Sequence, residues 1–492
     1  MTKIFESIKP FLLFLPFCAG VFLGADDQTK VVTILPEIMI DFEIPIHELG
    51  KASWLVTAYL IGYTAVMPFI GRVSDKYGYR TTFLVALIVF MIGSAATAIS
   101  PELSKIGGGS PNMGWIIGTR ILQSLGGGAL IPISIAAAGY LIPRNKHAIA
   151  YGLIGASAEA GGVIGPLFGG AVTEFLNWRW AFWLNIPLTL ITIIFLFKCP
   201  KGNKYPVKLD FVGAIIFASF LAFLTGGLVQ IGKDNNMAII LIIISIISLL
   251  LTILRHKTTE YSIIPRNLLR KPGFLASNIT HLFIGAALII AMVTVPVMAQ
   301  TLFSESPLEG GLRLLRLTIA LSVGAFLGGI LTQKFGTRIP SISGLIMTTL
   351  GFYFMSNWGI DPVVKDPWMS IHLSITGFGF GLCIAPIMEA ALDRVKPSER
   401  GSASSILTVS RMMGQTFGLA TLTAWGTSRF SKLTKDMPEF SLDPFGQQKF
   451  TEAALAAGEK VFQGFFLVGA IVSIIGIIPA IIMSKSKGNN NK

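Results

Sequence analysis

Apolar runs of about 20 residues, separated by short charged stretches, recur along almost the whole chain. A helix needs about 20 mostly apolar residues to cross the hydrocarbon core of a bilayer. Only 13% of the 492 residues are charged and 52% are hydrophobic. The sequence therefore predicts an all-α integral membrane protein, in which we identify fourteen transmembrane helices.

The charged residues are sorted by side of the membrane, although the formal net charge is +13. If the N-terminus is cytoplasmic, most lysines and arginines fall in cytoplasmic segments, and most acidic residues fall in outer ones. This asymmetry is the positive-inside pattern. It predicts a multi-pass protein of the cell membrane with both termini in the cytoplasm, and it explains the basic pI without a nucleic-acid partner.

The chain contains an internal repeat. Gly71, Gly78 and Arg80 recur 258 positions later as Gly329, Gly336 and Arg338. Gln333 replaces Asp75 in the second copy. Such repeats are typical of transporters whose two halves rock around a central site.

The repeat and the linker composition predict three parts. They are an N-terminal six-helix bundle (1–200), a two-helix insert with basic linkers (201–271) and a C-terminal six-helix bundle (272–492). The last part includes a polar outer loop at about 427–460.

A glycine stripe marks the fifth predicted helix. Gly161, Gly165 and Gly169 recur every four residues, with Gly155, Gly162 and Gly170 beside them. In lipid, small residues on one helix face let another backbone approach closely. We expect this stripe to let the two halves approach each other.

Six short motifs stand in order along the chain. They are Asp27-x-Thr29 followed by Leu35-Pro36; Gly71-x-x-x-Asp75-x-x-Gly78-x-Arg80; Arg120 with Gly126–Gly128; Gly165-Pro166-x-x-Gly169-Gly170; Gln300 before Ser306-Pro307 and Gly311-Leu312; and Ser410-Arg411 before Gly414. Through these motifs the chain resembles the major facilitator superfamily and, within it, the fourteen-helix branch of drug:proton antiporters. The resemblance implies secondary active transport by a monomer, driven by a proton gradient without any cofactor.

The segment from Gly71 to Arg80 is similar to that superfamily's signature loop between helices 2 and 3. Gly71 permits close helix approach, and Asp75 precedes the third predicted helix, whose N-terminus it can cap. The cap is either permanent or part of a latch that opens and closes with conformation. The resemblance favours a latch comprising Gly71, Asp75, Gly78 and Arg80.

Four charged residues are predicted to lie in the membrane near one another. Counted at about 1.5 Å per residue, Asp27 and Arg120 reach a comparable depth. Asp26 and Lys30 are four residues apart and face one another on a helix. Ionisable groups at this depth need a partner or a function. Asp27 is a candidate proton or cation site, with Asp26 beside it; the alternative is a fixed pair with Arg120 or Lys30.

Lys30 departs from the drug-exporter motif. It either neutralises one carboxylate or helps to bind an anionic group. Its presence weakens the case for ordinary cationic drugs as substrates.

Glu159 and Arg411 lie at matching depths on repeat-equivalent helices, each about eleven residues from the predicted cytoplasmic end. We expect a salt bridge between the halves that locks one state and is released when Glu159 is protonated. The alternative is a permanent structural pair.

Arg313 and Arg316 occupy the first outer turns of the tenth predicted helix. They are either interfacial side chains that reach toward the head groups, or contacts for the carboxylate or phosphate of an anionic substrate.

These features predict a proton-coupled exporter of amphipathic small molecules, of the multidrug type. The alternative is an exporter of a lipid or a fatty-acid-like anion with the same fold; a channel or a membrane scaffold is less favoured. The sequence has no HExxH, P-loop or nucleophile-elbow motif, so an enzyme is not expected, and its histidines and cysteines lack metal-site spacing. An envelope partner is left open.

Overall fold

The computed structural model describes residues 2–45, 52, 54–105, 112–231, 234–259, 261–359, 366–393, 395–435 and 443–484. These residues form helices and connecting segments, without a β-strand. The longer helices are α1 Thr2–Asp41, α2 Trp54–Tyr77, α3 Tyr79–Ala98, α4 Met113–Leu141, α5 His147–Phe175, α6 Asn185–Leu196, α7 Phe211–Gln230, α8 Asn235–Thr258, α9 Pro272–Leu302, α10 Pro307–Phe335, α11 Arg338–Met355, α12 Asp366–Leu392, α13 Arg400–Leu433 and α14 Pro444–Ile482. The all-α prediction is confirmed.

Within the described ranges, eleven helices are long and apolar enough to cross a membrane. The other three helices named above, α6, α11 and α13, do not meet that criterion. The short helix α6 follows a four-residue helix at Trp180–Trp183. A count of fourteen transmembrane helices therefore stays a prediction.

The connections that follow α2, α4, α6, α8, α10 and α12 lie at one end of the molecule, together with the start of α1 and the end of α14. We call it the basic end, because it carries the lysine-rich segments, which the charge pattern predicts to be cytoplasmic. The other end is called the opposite end.

The two copies of the sequence repeat adopt equivalent geometry at the basic end. Gly78 and Gly336 break their helices with φ values of +87° and +78°. Such values favour glycine because it lacks a Cβ atom. The Arg80 side chain donates a hydrogen bond to the carbonyl oxygen of Cys199 at 2.7 Å. Arg338 does the same to that of Met483 at 2.8 Å. Each arginine thus fixes its loop to the chain near the end of its own half.

The glycine stripe packs α5 against α1, which belongs to the same half. A methyl group at Gly165 would lie 2.5 Å from the carbonyl oxygen of Asp26, and one at Gly169 would lie 2.8 Å from that of Lys30. Gly161 abuts the α1 backbone one turn earlier, whereas Gly170 has no atom within 4 Å of such a methyl group. For Gly161, Gly165 and Gly169 the expectation that the stripe joins the two halves is wrong.

Gly155, which the sequence places beside the stripe, and Gly152 make the contact with the other half. A methyl group at Gly152 would lie 2.6 Å from the carbonyl oxygen of Ala325 in α10. One at Gly155 would collide with Ile384 in α12. Helix periodicity identifies a small-residue face, but it does not indicate which backbone each glycine meets.

The predicted outer loop at 427–460 is largely helical in its described part. Helix α13 continues to Leu433, and α14 already begins at Pro444, where the Asp443 side chain accepts hydrogen bonds from the first backbone N–H groups. At 34 residues, α13 is about 51 Å long, well beyond the roughly 30 Å of a hydrocarbon core. The polar composition indicated a loop, but it belongs to helices that extend at the opposite end.

A candidate transport site

A buried charge cluster, formed by Asp26, Asp27, Lys30 and Arg120, lies inside the N-terminal half. The Arg120 Nη1 atom is 2.6 Å from Asp27 Oδ2. The Lys30 Nζ atom is 3.1 Å from Asp27 Oδ1 and 3.2 Å from Asp26 Oδ2. The structure therefore brings together the four residues that the sequence placed at similar depth, on α1 and α4.

Neutral side chains complete the cluster. Gln123 and Asn185 each donate a hydrogen bond to Asp27 Oδ1 at 2.9 Å. Asn185 also accepts one from Lys30 at 2.8 Å and donates one to Ser94 at 2.9 Å. The Arg120 guanidinium lies 4.0 Å from the centre of the Tyr59 ring. Sequence reasoning missed these residues, although polar Gln123 and Asn185 stand out in apolar segments.

The cluster is electrically balanced and shielded from solvent. Two carboxylates face two cations, and Asp27, Lys30 and Arg120 have no exposed surface. A buried charge is tolerated when it is paired and hydrogen-bonded, as each of these is. In this conformation the cluster does not present a free negative charge to a cationic ligand.

A second ion pair joins the two halves. Arg411 of α13 forms a salt bridge with Glu159 of α5, and both side chains are about nine-tenths buried. Glu159 follows His147, where α5 begins, by twelve residues, which is about 18 Å along the helix. The Arg411 Nε atom is buried without a hydrogen-bond partner. Glu159 therefore compensates the buried positive charge of Arg411.

The Asp75 carboxylate binds a helix of the other half. It lies inside α2 and accepts hydrogen bonds from the backbone N–H groups of Gly401 at 2.8 Å and Ser402 at 3.1 Å. The Ser402 hydroxyl donates another at 2.9 Å. Asp75 thus caps the N-terminus of α13 and does not cap the third helix. That part of the prediction is wrong, because the preferred partner comes from a distant part of the chain.

Gly71 and Gly401 allow this contact. A methyl group at either glycine would collide with the backbone carbonyl oxygen of the other. The two helices can therefore meet backbone to backbone, which brings Asp75 within hydrogen-bonding distance of the α13 N-terminus.

Further contacts between the halves surround the Asp75 contact at the basic end. The Tyr140 hydroxyl donates to the carbonyl oxygen of Pro397 at 2.6 Å, and Arg400 donates to that of Gly139. Arg144 lies 3.5 Å from Asp393. Together with the Asp75 contact, these contacts hold the two halves together at the basic end.

Asp75→Asn is expected to favour opening of the basic end. The amide retains one acceptor oxygen but loses the charge that interacts with the α13 helix dipole, an interaction of about 0.3–1 kcal/mol. Double electron–electron resonance between spin labels attached at exposed positions 201 and 334, which are Lys201 and Lys334 in this chain, would show a larger population of long distances in Asp75→Asn than in the unsubstituted protein. An Asp393→Asn variant, which disrupts a more peripheral pair, should shift the distribution less; equal shifts would contradict a specific role for Asp75.

The Arg313 side chain is paired at the opposite end. It forms a two-pronged salt bridge with Glu305 and lies 5.3 Å from the Phe303 ring centre. Glu309 instead forms a capping box with Ser306 at the start of α10. Arg316 is half-buried one turn further along. The pairing of Arg313 reduces its value as an anion-binding group, and a substrate role for both arginines stays a prediction.

The described residues contain no group of three or more histidine, cysteine or acidic side chains arranged to hold a metal ion. The three cysteines are free and buried.

Comparison with known proteins agrees with this geometry. The family model for the Major Facilitator Superfamily matches residues 16–418 and 277–491. The chain belongs to the major facilitator superfamily. The resemblance at the level of the superfamily is therefore confirmed.

Two similar curated proteins are named as transporters. A triacylglyceride transporter of Mycolicibacterium smegmatis is 31% identical over 94% of this chain and 86% of that protein. A probable triacylglyceride transporter of Mycobacterium leprae is 31% identical over 95% of each chain. The present chain is accordingly a membrane transporter and not an enzyme.

Solved structures show the same fold at low identity. The human organic anion transporter MFSD10 (TETRAN) aligns with a TM-score of 0.63 and 14% identity over 94% of this chain and 99% of its own. The proton:xylose symporter XylE aligns with a TM-score of 0.62 and 14% identity over 98% and 97%. These matches support the multi-pass membrane fold and leave the substrate open.

Proposed function

We propose that this transporter exports a triacylglyceride-like lipid across the membrane, driven by a proton gradient. The observation that carries the substrate class is the balanced charge cluster, because Lys30 and Arg120 offset both carboxylates. A cationic drug would find no free negative charge there. Similarity to proteins named triacylglyceride transporters supports the lipid alternative over the multidrug interpretation.

The Glu159–Arg411 pair is the proposed coupling element. It is the deepest of the described ion pairs between the halves, and its members lie on α5 and α13. Protonation of Glu159 removes the negative partner of Arg411 and weakens the closed basic end. Release of the proton restores the pair. A ligand or proton shifts a conformational equilibrium only when it binds the two states with unequal affinity. In this proposal Glu159 binds a proton more weakly when it is paired with Arg411 in the closed state than when the pair is broken.

The closed basic end fits a conformation whose cavity faces the opposite end. The Asp75 contact with α13 and the Tyr140–Pro397 hydrogen bond would separate when the cavity opens to the cytoplasm. Alternation between these states would load lipid from one side and release it on the other. With both termini cytoplasmic, as the charge pattern predicts, loading at the basic end and release at the opposite end would be export from the cell.

The charge cluster is proposed to contribute to the same cycle from within the N-terminal half. Asp26 retains 5% exposure, while Asp27 is fully enclosed by four donors. Asp26 is thus the more accessible carboxylate, and Asp27 would exchange a proton only after the cluster rearranges. No cofactor is required, since the proton gradient supplies the energy.

Proteoliposomes with an imposed pH gradient provide the test. We expect transfer of a fluorescent triacylglyceride that stops when a protonophore collapses the gradient. A cationic dye assayed in parallel is expected to show no gradient-dependent flux, because the cluster has no excess negative charge. Dye flux without lipid transfer would contradict the lipid assignment, and lipid transfer that is unaffected by the protonophore would contradict proton coupling.

A further inference from the structure

A cavity of about 320 Å³ lies between the two insert helices at the basic end. It is formed by the first turns of α7, the last turns of α8 and the segment after α8. Its apolar wall consists of Phe217, Leu249, Ile253, Ile263, Ile264 and Leu269. The volume is within the roughly 300–1,000 Å³ of small-molecule sites. Such a wall suits an acyl chain.

The acidic side chain of this cavity is already neutralised. Asp210 is buried and forms a two-pronged salt bridge with Arg255, whose Nη2 atom is 2.9 Å from Asp210 Oδ1. Asp210 also accepts a hydrogen bond from the backbone N–H of Gly213 at 2.9 Å. The pair closes one side of the cavity and contributes no net charge.

The exposed polar part of the cavity and its surroundings is positive. Lys257 lines the cavity with an exposed side chain. Lys208 donates to the Tyr261 hydroxyl at 3.1 Å and lies 4.4 Å from the centre of its ring. Across the two linkers, 198–210 and 255–271, the sequence has nine lysines and arginines against two acidic residues. An apolar cavity beneath a basic rim combines both recognition elements of an anionic lipid.

We propose that this cavity binds one anionic phospholipid of the cytoplasmic leaflet, with an acyl chain against the apolar wall and the phosphate near Lys257 and Lys208. Basic pockets between membrane helices on the cytoplasmic side bind anionic head groups, and each lysine near the surface contributes about 1 kcal/mol. The site is distinct from the charge cluster and from the transport pathway between the halves. It assigns a ligand to the insert, which the proposed transport cycle does not use.

The surrounding linkers contact the Asp75 region directly. Arg72 of α2 donates to the carbonyl oxygen of Ser262 at 2.9 Å, and Ser262 lines the cavity. The backbone N–H of Tyr205 donates to the carbonyl oxygen of Asp75 at 3.1 Å. A lipid that orders these linkers therefore lies next to the contact that closes the basic end.

Binding can be measured without transport, by native mass spectrometry of the purified full-length chain titrated with phosphatidylglycerol or with phosphatidylcholine of the same acyl chains. We expect one phosphatidylglycerol molecule to bind more tightly than any further phosphatidylglycerol molecules and more tightly than phosphatidylcholine. Lys208→Gln and Lys257→Gln should each weaken it about fivefold, which corresponds to about 1 kcal/mol. Lys334→Gln, which removes an exposed lysine elsewhere at the basic end, should leave it unchanged.

A second pair of variants tests the cavity itself. Leu249→Trp fills it, whereas Ile246→Trp adds the same bulk at an exposed position of α8 outside it. We expect only the first to prevent binding of the tight phosphatidylglycerol. Equal affinity for phosphatidylcholine, or equal losses in Lys334→Gln and Lys257→Gln, would overturn the proposal. Because no flux is measured, this result is independent of whether the chain exports a lipid.

Discussion

Glu159→Gln is expected to abolish the dependence of lipid transport on the pH gradient. Glutamine resembles a protonated glutamate in shape, but it cannot restore the charge that Arg411 needs in the closed state. Breaking one partner of a buried ion pair costs about 3 kcal/mol or more, which is roughly a hundredfold in a conformational equilibrium. Gradient-driven flux in proteoliposomes should fall accordingly, and the basic end should be open in a larger fraction of molecules.

Glu174→Gln supplies the matched control, because it makes the same chemical change on the same helix at an exposed position. It should retain gradient-driven flux. Spin-label distances at Lys201 and Lys334 then separate coupling from misfolding: a folded Glu159→Gln variant should show the open population at every pH tested. Wild-type flux with an unchanged pH profile in Glu159→Gln would show that the pair is a permanent structural element.

Depth counting along apolar helices was sufficient to pair residues from distant parts of the chain. Glu159 and Arg411 are 252 positions apart, but each lies about the same number of residues from the basic end of its helix. The same reasoning matched Asp27 to Arg120. It works because the membrane fixes the helix direction and the rise per residue is constant.

Local sequence reasoning failed where the partner is remote and uncharged. Sequence position alone pairs Asp75 with the next helix, yet Asp75 caps a helix that begins more than 320 positions later. Gln123 and Asn185 were missed because a neutral amide gives a weaker signal than a charge at membrane depth. The glycine stripe was correctly identified as a packing face, but its partner, α1, is set by tertiary structure.

Arg120→Met is expected to destabilise the protein strongly. Removing the guanidinium leaves Asp26 and Asp27 with Lys30 as the remaining cation in a fully buried cluster. Removal of one member of a buried pair typically costs about 3–5 kcal/mol. We expect a clearly lower thermal unfolding midpoint in detergent, measured by size-exclusion chromatography of samples heated to increasing temperatures. Lys105→Met, at the exposed opposite end, is the control and should leave the midpoint unchanged.

The double variant Asp27→Asn/Arg120→Met separates the two interpretations of this cluster. It removes one charge of each sign and leaves the Asp26–Lys30 pair, so the net charge stays zero. Most of the lost stability should return, because a buried ion pair contributes little compared with neutral groups of similar volume. A stable double variant that transports lipid under a pH gradient would identify a fixed structural pair. A stable variant that has lost gradient-driven transport would place Asp27 in the proton pathway. A double variant as unstable as Arg120→Met would show that Arg120 stabilises the fold through its contacts with Gln123 and Tyr59 and not through charge balance.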